Sequence, residues 1–318
     1  MDGFECYFVN FLMKNKRKIV GIVCHDSGGA EIVSSYISLN DITAKYCLSG
    51  PAIKVFERKF GTIKNSLLVD MIDDVDWLLC GTSWKSSLEW NAIQKAKKQG
   101  KKIISFLEHW TNYPERFNRN DVIALPDEIW VGDIYAQEIA ERYFPNIKIE
   151  FKDNPYLLEV KQLLNQFKPK RKLREKCTAL YVCENISDHM FLRYCDANYL
   201  GYTEHDSLRF FMDNVSIVDK NIDTIVVRPH PSDNNPEEKY GWARQHPIKA
   251  SCNIQFSSES NLLQDIADCD IVVGAETMAM VVGLTANKRV ISSIPKQGRK
   301  CVLPFSKIEH ITRVRDDK

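Results

Sequence analysis

A histidine lies between two prolines at the end of an apolar run, in Arg228-Pro229-His230-Pro231-Ser232-Asp233. Proline fixes the backbone φ angle, so the turn is stiff and the imidazole of His230 is held in place. Arg228 adds a positive charge next to the turn. An imidazole in this position is suited to donate a hydrogen bond to a phosphate, so we predict that Arg228, His230 and Pro231 bind an anion.

A second turn, Gly274-Ala275-Glu276-Thr277-Met278, opens another apolar helix. Glu276 and Thr277 could satisfy the backbone donors of the first helical turn, which is a structural role. The carboxylate could instead bind sugar hydroxyls, and the N–H groups could bind phosphate. Both roles stay open. A small cluster of hydroxyls lies upstream, at Ser257, Ser258 and Ser260.

A glycine-containing turn follows the first apolar run, in His25-Asp26-Ser27-Gly28-Gly29-Ala30-Glu31. Gly28 and Gly29 allow a tight turn and the close approach of a ligand, and the helix that follows offers N–H groups to an anion. The spacing is not G-x-G-x-x-G, so a nicotinamide or flavin cofactor is not indicated. Asp26 lies where a general base would belong, but Asp26 or Ser27 could equally only cap the helix.

Two further segments follow predicted strands. The segment 108–117 combines charged and aromatic residues at a density that suits a sugar, whose C–H faces stack on rings. The alternative is a loop whose Trp110 and Tyr113 fill a gap beneath it, and we favour the functional role. Residues 81–84 carry small hydroxyl side chains, which we expect to cap a helix.

Apolar runs of strand length alternate with helical patterns along the whole chain. This alternation predicts parallel sheets that are covered on both faces. The predicted strands are 18–24, 43–49, 77–83, 101–110, 128–133, 178–185, 223–231, 253–258, 270–276 and, as the final strand, 289–295. In such sheets ligands bind beyond the carboxyl ends of the strands. The predicted fold class is therefore α/β, with two Rossmann-like, doubly wound domains facing a cleft.

The division of the chain follows from composition. Residues 1–160 form the predicted N-terminal acceptor domain, and residues 177–318 the predicted C-terminal domain that binds a nucleotide sugar. Between them, residues 161–176 are polar and basic, which is typical of a linker. A basic run is usually only solvated, and attraction to an anionic membrane surface is the alternative.

The overall composition excludes some partners. The chain has 318 residues and a formal net charge of +1, so it lacks the basic excess of a nucleic-acid-binding protein. Its ten cysteines include no Cys-x-x-Cys pair, and several lie in apolar runs as small buried residues. The seven histidines show no metal-ligand spacing, so no metal site is predicted.

The location of the protein is predicted from its thiols and its first residues. So many free thiols indicate a reducing compartment, and we expect a soluble, cytoplasmic protein. Residues 1–18 carry an apolar patch before a basic one, which is the opposite order from a signal peptide. Peripheral contact with the inner face of the membrane is the alternative.

On the basis of these residues, the chain resembles the GT-B glycosyltransferases, most specifically in its second half. The motif RPHP, the serine cluster and the stretch DIVVGAETMAMVVGLTANKRVISSIP look like the nucleotide-sugar half of that fold. The His-Pro pair is similar to the motif of bacterial sialyltransferases, polysialyltransferases and capsule Kdo transferases. In those families the pair contacts the phosphate of a CMP-activated donor. Carried over, this role falls on His230 and Pro231, and the role of their serine motif falls on Ser257 and Ser258.

The resemblance implies a metal-independent glycosyltransferase with no cofactor besides its donor. The favoured donor is a CMP-activated sialic-type or other nonulosonic sugar, and the acceptor is a glycan or glycolipid of the cell surface, made in capsule or lipopolysaccharide synthesis. The catalytic base would come from the first domain. Asp26 is the first candidate, and Glu31 and Glu108 are the alternatives.

Two other function classes remain open. A UDP-sugar transferase, or a UDP-sugar 2-epimerase or hydrolase, shares the two-domain architecture and binds its nucleotide in the second half. A non-catalytic subunit that binds a nucleotide sugar would show no turnover with any acceptor. The sequence does not identify the acceptor, the stereochemical outcome or the oligomeric state.

Overall fold

The computed structural model describes residues 18–167, 176–257 and 261–311. The chain divides into two compact units, Met1–Leu158 and Glu159–Lys318. Ser258 and Ser260 lie outside the described residues, as do the apolar and basic segment 1–17 and the basic run 168–175. Residues 161–164, which were interpreted as the start of a linker, are the last turn of a helix.

The first unit contains a six-stranded parallel sheet and a separate short antiparallel pair. Its strands are β1 (Val20–Cys24), β2 (Ala44–Leu48), β3 (Trp77–Cys80), β4 (Lys102–Leu107), β5 (Asn118–Arg119), β6 (Val122–Ile123), β7 (Glu128–Val131) and β8 (Lys148–Phe151). The order in the large sheet is β2-β1-β3-β4-β7-β8. Strand order therefore reverses between β1 and β3, and this switch point is where open α/β sheets bind ligands.

Helices connect the strands of the first unit. They are α1 (Ser27–Asn40), α2 (Pro51–Phe60), α3 (Leu68–Met71), α4 (Leu88–Lys98), α5 (Tyr113–Phe117) and α6 (Ile134–Tyr143), with a short 3-10 turn at Ile72–Asp74. A further helix, α7 (Pro155–Leu164), follows β8, and the division between the two units falls within it. Buried apolar residues of the central strands pack against α1 and α2, as the continuous apolar runs of the strands require. Trp130 packs here against the rings of Tyr36, Trp77 and Phe106.

The second unit contains another six-stranded parallel sheet. Its strands are β9 (Cys177–Val182), β10 (Ile222–Arg228), β11 (Asn253–Phe256), β12 (Ile271–Gly274), β13 (Arg289–Ser292) and β14 (Ile308–His310). The order is β11-β10-β9-β12-β13-β14, so the strand order reverses between β9 and β12. Counted within the unit, this is 3-2-1-4-5-6, the order of dinucleotide-binding Rossmann folds.

The helices of the second unit are mostly short. They are α8 (Ile186–Tyr194), α9 (Glu204–Asp213), α10 (Val215–Val218), α11 (Pro236–Tyr240), α12 (Leu262–Asp268) and α13 (Met278–Thr285), with 3-10 turns at Gly241–Gln245 and Pro247–Ala250. The core lies between the sheet and the buried faces of α9 and α10, around Leu208, Phe211 and Val215. Thr203 and Asp206 form a capping box that starts α9.

The predicted alternation of strands and helices is confirmed, and so is the fold class of two Rossmann-like units. On the second unit, one prediction was wrong and one helix was missed. The run 289–295 is not the final strand, because β14 follows it, and α8 was not predicted at all. The helical period of α8 is obscured because its Phe191 and Leu192 are exposed rather than buried. The expected burial of Cys24, Cys80 and Cys183 is confirmed.

Within the described ranges, no helix has both the length and the apolar character needed to cross a membrane.

Candidate functional sites at the carboxyl ends of the two sheets

The switch point of the first sheet brings polar side chains together from β1, β3 and β4. Asp26 follows β1, and its Oδ1 lies 2.6 Å from His25 Nδ1. Both side chains are about three-quarters buried. Although Asp26 precedes α1, its side chain makes no capping hydrogen bond, so capping does not account for its type. A carboxylate bound to one imidazole is suited to general-base chemistry.

Glu108, at the end of β4, is held by two donors. Its Oε2 accepts a hydrogen bond of 2.6 Å from Thr82 Oγ1, and its Oε1 accepts one from Arg116. The guanidinium of Arg116 is buried and also donates to the Thr82 carbonyl at 2.8 Å. The Glu108 carboxylate therefore has a fixed position and a compensated charge, next to the start of α1.

The two glycines of the first turn are explained by close packing. A Cβ on Gly29 would lie 3.1 Å from the Gly81 Cα, and one on Gly28 would lie 3.0 Å from Glu108 Cγ. These contacts let α1 approach the ends of β3 and β4. The glycines thus serve the packing of the switch point, and no anion is needed to explain them.

Glu31 lies in a different setting from the other carboxylates. Its Oε1 accepts a hydrogen bond of 2.6 Å from Arg58, whose side chain is 63% exposed. This is a surface ion pair between α1 and α2. Nothing in that setting singles Glu31 out as a base.

The aromatic residues after β4 pack inside the first unit. Trp110 is 7% exposed and Tyr113 is 1% exposed. The Trp110 indole donates to Asp133 at 3.0 Å. The prediction that this segment stacks on a sugar was wrong for these two rings, because they fill the interior beneath the loop.

The sequence did not single out Glu89, the second residue of α4. It is 3% exposed, and its Oε1 accepts a hydrogen bond of 2.7 Å from the His25 backbone N–H. Among the described residues its Oε2 is buried without a hydrogen-bond partner. Burial raises the pKa of Glu89 to about 7, and the carboxylates of Asp26 and Glu108 contribute to that rise. No pattern in the sequence marks Glu89, since it occupies an ordinary helical position.

In the second unit, the turn after β10 holds His230 in a defined orientation. The His230 backbone N–H donates to Asp233 Oδ2 at 2.8 Å, and its ring Nδ1 lies 2.7 Å from Ser232 Oγ. Burial lowers the pKa of His230, so its imidazole is neutral at pH 7. In the described part of the chain, its Nε2 has no hydrogen-bond partner. Pro231 is exposed in this turn.

Arg228 is tied to neighbouring side chains of its own unit. Its Nη1 lies 2.5 Å from Asp265 Oδ2, and Ser257 Oγ donates to the same carboxylate oxygen at 2.6 Å. Asp265 is 7% exposed. The charge of Arg228 is therefore compensated, and Ser257 belongs to the same cluster. Anion binding by this pair stays a prediction.

Glu184, two residues after β9, lies at the switch point of the second sheet. Its Oε1 accepts a hydrogen bond of 2.8 Å from the Glu276 backbone N–H after β12. Burial raises the pKa of Glu184 to about 8, against the lowering effect of the N–H groups that it accepts. The sequence pattern did not single out Glu184, although its place at a strand end could have marked it. Because Glu184 occupies the Glu276 N–H, that group is not open to a phosphate.

The carboxylate of Glu276 is also bound within the unit. It accepts hydrogen bonds from Arg299 and, at 3.2 Å, from the Val302 backbone N–H. Thr277 caps α13 by accepting a hydrogen bond of 3.3 Å from the Ala279 N–H. The capping alternative for Thr277 is thus present in the structure, and a role of Glu276 toward sugar hydroxyls remains a prediction.

No group of His, Cys, Asp and Glu within residues 18–167, 176–257 and 261–311 is arranged to hold a metal ion. Two Asp-x-Asp sequences occur, at 74–76 and 268–270. They precede β3 and β12, so they lie at the edges opposite the switch points. Asp76 and Asp270 each accept a backbone N–H there at 2.7 Å, which is a structural role.

Neither a protein-family model nor a curated protein sequence matches the chain. Solved structures do match. The MnaA protein of Staphylococcus aureus, solved with UDP, has a TM-score of 0.58 at 11% identity, covering 86% of this chain and 79% of that one. The UDP-GlcNAc 2-epimerase of Neisseria meningitidis, bound to UDP-GlcNAc, has a TM-score of 0.57 at 12% identity, covering 94% and 90%.

A third match is a glycosyltransferase from Rickettsia africae, with a TM-score of 0.54 at 12% identity, covering 87% of this chain and 79% of that one. At these identities the likeness concerns the fold. The chain thus has the two-unit, Rossmann-like fold that nucleotide-sugar epimerases and glycosyltransferases share.

Proposed function

We propose that this chain is a nucleotide-sugar enzyme that binds a UDP-activated sugar through its second unit and transfers the sugar to an acceptor hydroxyl. One observation carries the proposal. The turn after β10 presents His230 as a neutral imidazole whose Nε2 is open, at the carboxyl end of a sheet with Rossmann strand order. A phosphate oxygen only accepts hydrogen bonds, so an Nε2–H donor complements it.

The choice of UDP over CMP rests on the structural neighbours. The motif around His230 and Pro231 favours a CMP-activated donor, because it is similar to the motif of the sialic-type transferases. The structures with the same fold include proteins solved with UDP or UDP-GlcNAc. We therefore propose a UDP sugar as the donor and treat a CMP sugar as the alternative outcome of the binding test.

The first unit supplies the proton chemistry in this proposal. Asp26 is the proposed base, because its carboxylate is bound by a single imidazole whereas that of Glu108 is engaged by Arg116 and Thr82. The base accepts the proton of the acceptor hydroxyl as the oxygen attacks the sugar. The leaving phosphate gains charge in that step, and a hydrogen bond from His230 stabilises it.

A UDP-sugar 2-epimerase is the second candidate, and one observation favours it. Glu89 is a carboxyl with a raised pKa of about 7, and it lies near the carboxylates of Asp26 and Glu108. Two carboxyl groups in contrasting environments can act as acid and base in turn. Such a pair suits the removal and return of a proton on a sugar carbon.

Calorimetric titration of the purified chain with UDP and with CMP tests the proposal. We expect UDP to bind, His230→Ala to lose most of the affinity, and His246→Ala to keep it. His246 is the matched control because it is a histidine of the same unit whose ring bonds Asp213. Selective binding of CMP would instead favour a sialic-type transferase, and binding of neither nucleotide would remove the nucleotide-sugar proposal.

Turnover separates the remaining classes. Incubation with UDP-GlcNAc in D₂O, without any acceptor, detects an epimerase by deuterium in the sugar. A transferase releases UDP only when an acceptor is present. Binding of UDP with no conversion in either assay would indicate a non-catalytic subunit.

A further inference from the structure

A chain of four side chains leads from α11 to the imidazole of His230. Lys239 Nζ lies 3.0 Å from Asn185 Oδ1, Asn185 Nδ2 lies 3.2 Å from Ser232 Oγ, and Ser232 Oγ lies 2.7 Å from His230 Nδ1. The four residues come from three segments, after β9, after β10 and within α11. Asn185 is 8% exposed, so its amide groups depend on these partners.

The direction of each hydrogen bond follows from the chemistry of the groups. An ammonium group only donates, so Lys239 must donate to the Asn185 oxygen. The NH₂ group of Asn185 then faces Ser232 and donates to its hydroxyl oxygen. The hydroxyl hydrogen of Ser232 is left for His230 Nδ1, which must accept it.

A second donor points to the same nitrogen. The Ser232 backbone N–H lies 3.2 Å from His230 Nδ1, and a backbone N–H can only donate. In an Nδ1–H tautomer, the hydrogen on Nδ1 would face two other donors, the hydroxyl and the backbone N–H of Ser232. The neutral ring carries its hydrogen on Nε2 instead.

We propose that Lys239, Asn185 and Ser232 are positioning residues that hold neutral His230 in its Nε2–H tautomer, so that the turn presents one hydrogen-bond donor to a phosphate oxygen. The identity of the ligand rests on the proposed function, whereas the tautomer is a property of the chain alone. We call these three residues and His230 the tautomer relay.

The first member of the relay is itself fixed. Lys239 Nζ lies 2.7 Å from Glu204 Oε1 and 2.9 Å from Asp233 Oδ1, and both carboxylates are almost completely buried. Burial alone would lower the pKa of Lys239, but the hydrogen bonds to Glu204 and Asp233 raise it above its usual value. Lys239 therefore stays charged, and it donates to Asn185 throughout the neutral range.

Nitrogen NMR of the ¹⁵N-histidine-labelled chain tests the relay, with His230 assigned by comparison with His230→Ala. Above the pKa of the ring, we expect the native chain to show a protonated Nε2 and an unprotonated Nδ1. In Asn185→Asp the amide is replaced by a carboxylate that only accepts, so the Ser232 hydroxyl donates its hydrogen to that carboxylate. The Ser232 oxygen, 2.7 Å from His230 Nδ1, then becomes an acceptor for an Nδ1–H. We expect Nδ1 of His230 to become protonated in that variant.

Two controls isolate the relay from the added charge. Asn234→Asp makes the same charge change four residues from His230, at an exposed position outside the relay, and should leave the tautomer unchanged. In the double variant Asn185→Asp with Ser232→Ala, the hydroxyl is gone and only the backbone donor of residue 232 remains. The Nε2–H tautomer should then return.

A second single variant covers the case in which Asn185→Asp does not fold. Ser232→Ala removes one of the two donors to Nδ1, so the Nδ1 resonance should move toward that of a nitrogen without a hydrogen bond. A native chain with Nδ1–H, an unchanged tautomer in folded Asn185→Asp, or an unmoved Nδ1 resonance in Ser232→Ala would each overturn the relay.

Titration with UDP keeps this inference separate from the proposed function. Asn185→Asp should weaken UDP binding by about tenfold to a hundredfold, the size of one hydrogen bond to a charged group. If UDP does not bind the native chain but the tautomer responds as expected, the proposed function fails and the relay stands. If UDP binds the native chain and the tautomer ignores Asn185→Asp, the relay fails and the proposed function stands.

Discussion

Two buried sites, one at the carboxyl end of each sheet, differ in how completely their charged groups are paired. In the second unit, Lys239 lies between the buried carboxylates of Glu204 and Asp233. In the first unit, Glu89 is equally buried, and within the described ranges one of its carboxyl oxygens has no hydrogen-bond partner. The paired Lys239 is suited to hold a ligand-binding turn rigid. The pKa of the incompletely paired Glu89 is about 7, which suits proton transfer near neutral pH.

The carboxyl ends of the two sheets also share one feature. At each, a buried glutamate side chain accepts a hydrogen bond from a backbone N–H of the turn at the switch point. Glu89 accepts the His25 N–H at 2.7 Å, and Glu184 accepts the Glu276 N–H at 2.8 Å. Both turns are thus fixed by a side chain from a neighbouring segment. The difference between the units lies in what surrounds that carboxyl.

The largest expected effect on stability comes from removing the positive charge of Lys239. Lys239→Met leaves the carboxylates of Glu204 and Asp233 buried without their cation, and we expect a loss of about 3–5 kcal/mol in the free energy of unfolding. This loss is measured by urea unfolding, monitored through the hydrogen exchange of amides in the second unit. Lys148→Met is the control, because its ion pair with Glu128 involves a lysine that is 61% exposed. Solvent screens this pair, so the loss of stability should be much smaller than in Lys239→Met.

Equal losses of unfolding free energy in Lys239→Met and Lys148→Met would contradict this expectation. The buried ion pairs of Lys239 would then stabilise the fold no more than an exposed ion pair does.

The next largest effect is the pH dependence of the unfolding free energy that Glu89 causes. The pKa of Glu89 in the folded chain is about 7, above its ordinary value of 4.5, so the folded state binds the proton more tightly. Stability therefore falls as the pH rises from about 4.5 to about 7 and then levels off. In Glu89→Gln this loss is absent, and the variant should be more stable than the native chain at pH 8, by up to about 3 kcal/mol.

Urea unfolding at a series of pH values, with Glu115→Gln as an exposed control, measures this difference. Glu184 is present in all three proteins, so its own titration cancels. Parallel pH curves for the native chain and Glu89→Gln would show that Glu89 ionises in the folded chain as it does in the unfolded one.

The smallest expected effect distinguishes the two helix starts. Thr277 caps α13 with its side chain, so Thr277→Ala should cost about 1 kcal/mol of stability. Asp26 makes no capping hydrogen bond to α1, so Asp26→Ala should cost less than Thr277→Ala, while turnover should fall sharply if Asp26 is the base. Thermal unfolding and an activity assay on both variants make the comparison. A larger loss of stability in Asp26→Ala than in Thr277→Ala would indicate that Asp26 has a structural role.

Much of the fold was predictable from local patterns. Apolar runs such as 18–24 and 77–83 are strands because they are too short and too continuously apolar for surface helices. The boundaries shift by a few residues, and β14 was missed because its short run carries polar residues. The turn of His230 was also predictable, since two prolines mark it. Which of its neighbours orient the ring was not predictable, because Asn185 is distant from the turn in sequence and Lys239 acts on the ring only through Asn185.

The sequence by itself determined the alternation of strands and helices, the division into two α/β units and the placing of polar turns after apolar runs. These properties depend on hydrophobic period and on turn residues, which act over a few positions. Only the tertiary structure decided which strands are neighbours, and hence that Glu184 meets the turn of Glu276 and that Glu89 meets His25. Burial and partners set the charge state of each group, and both arise from contacts between segments that the chain keeps far apart.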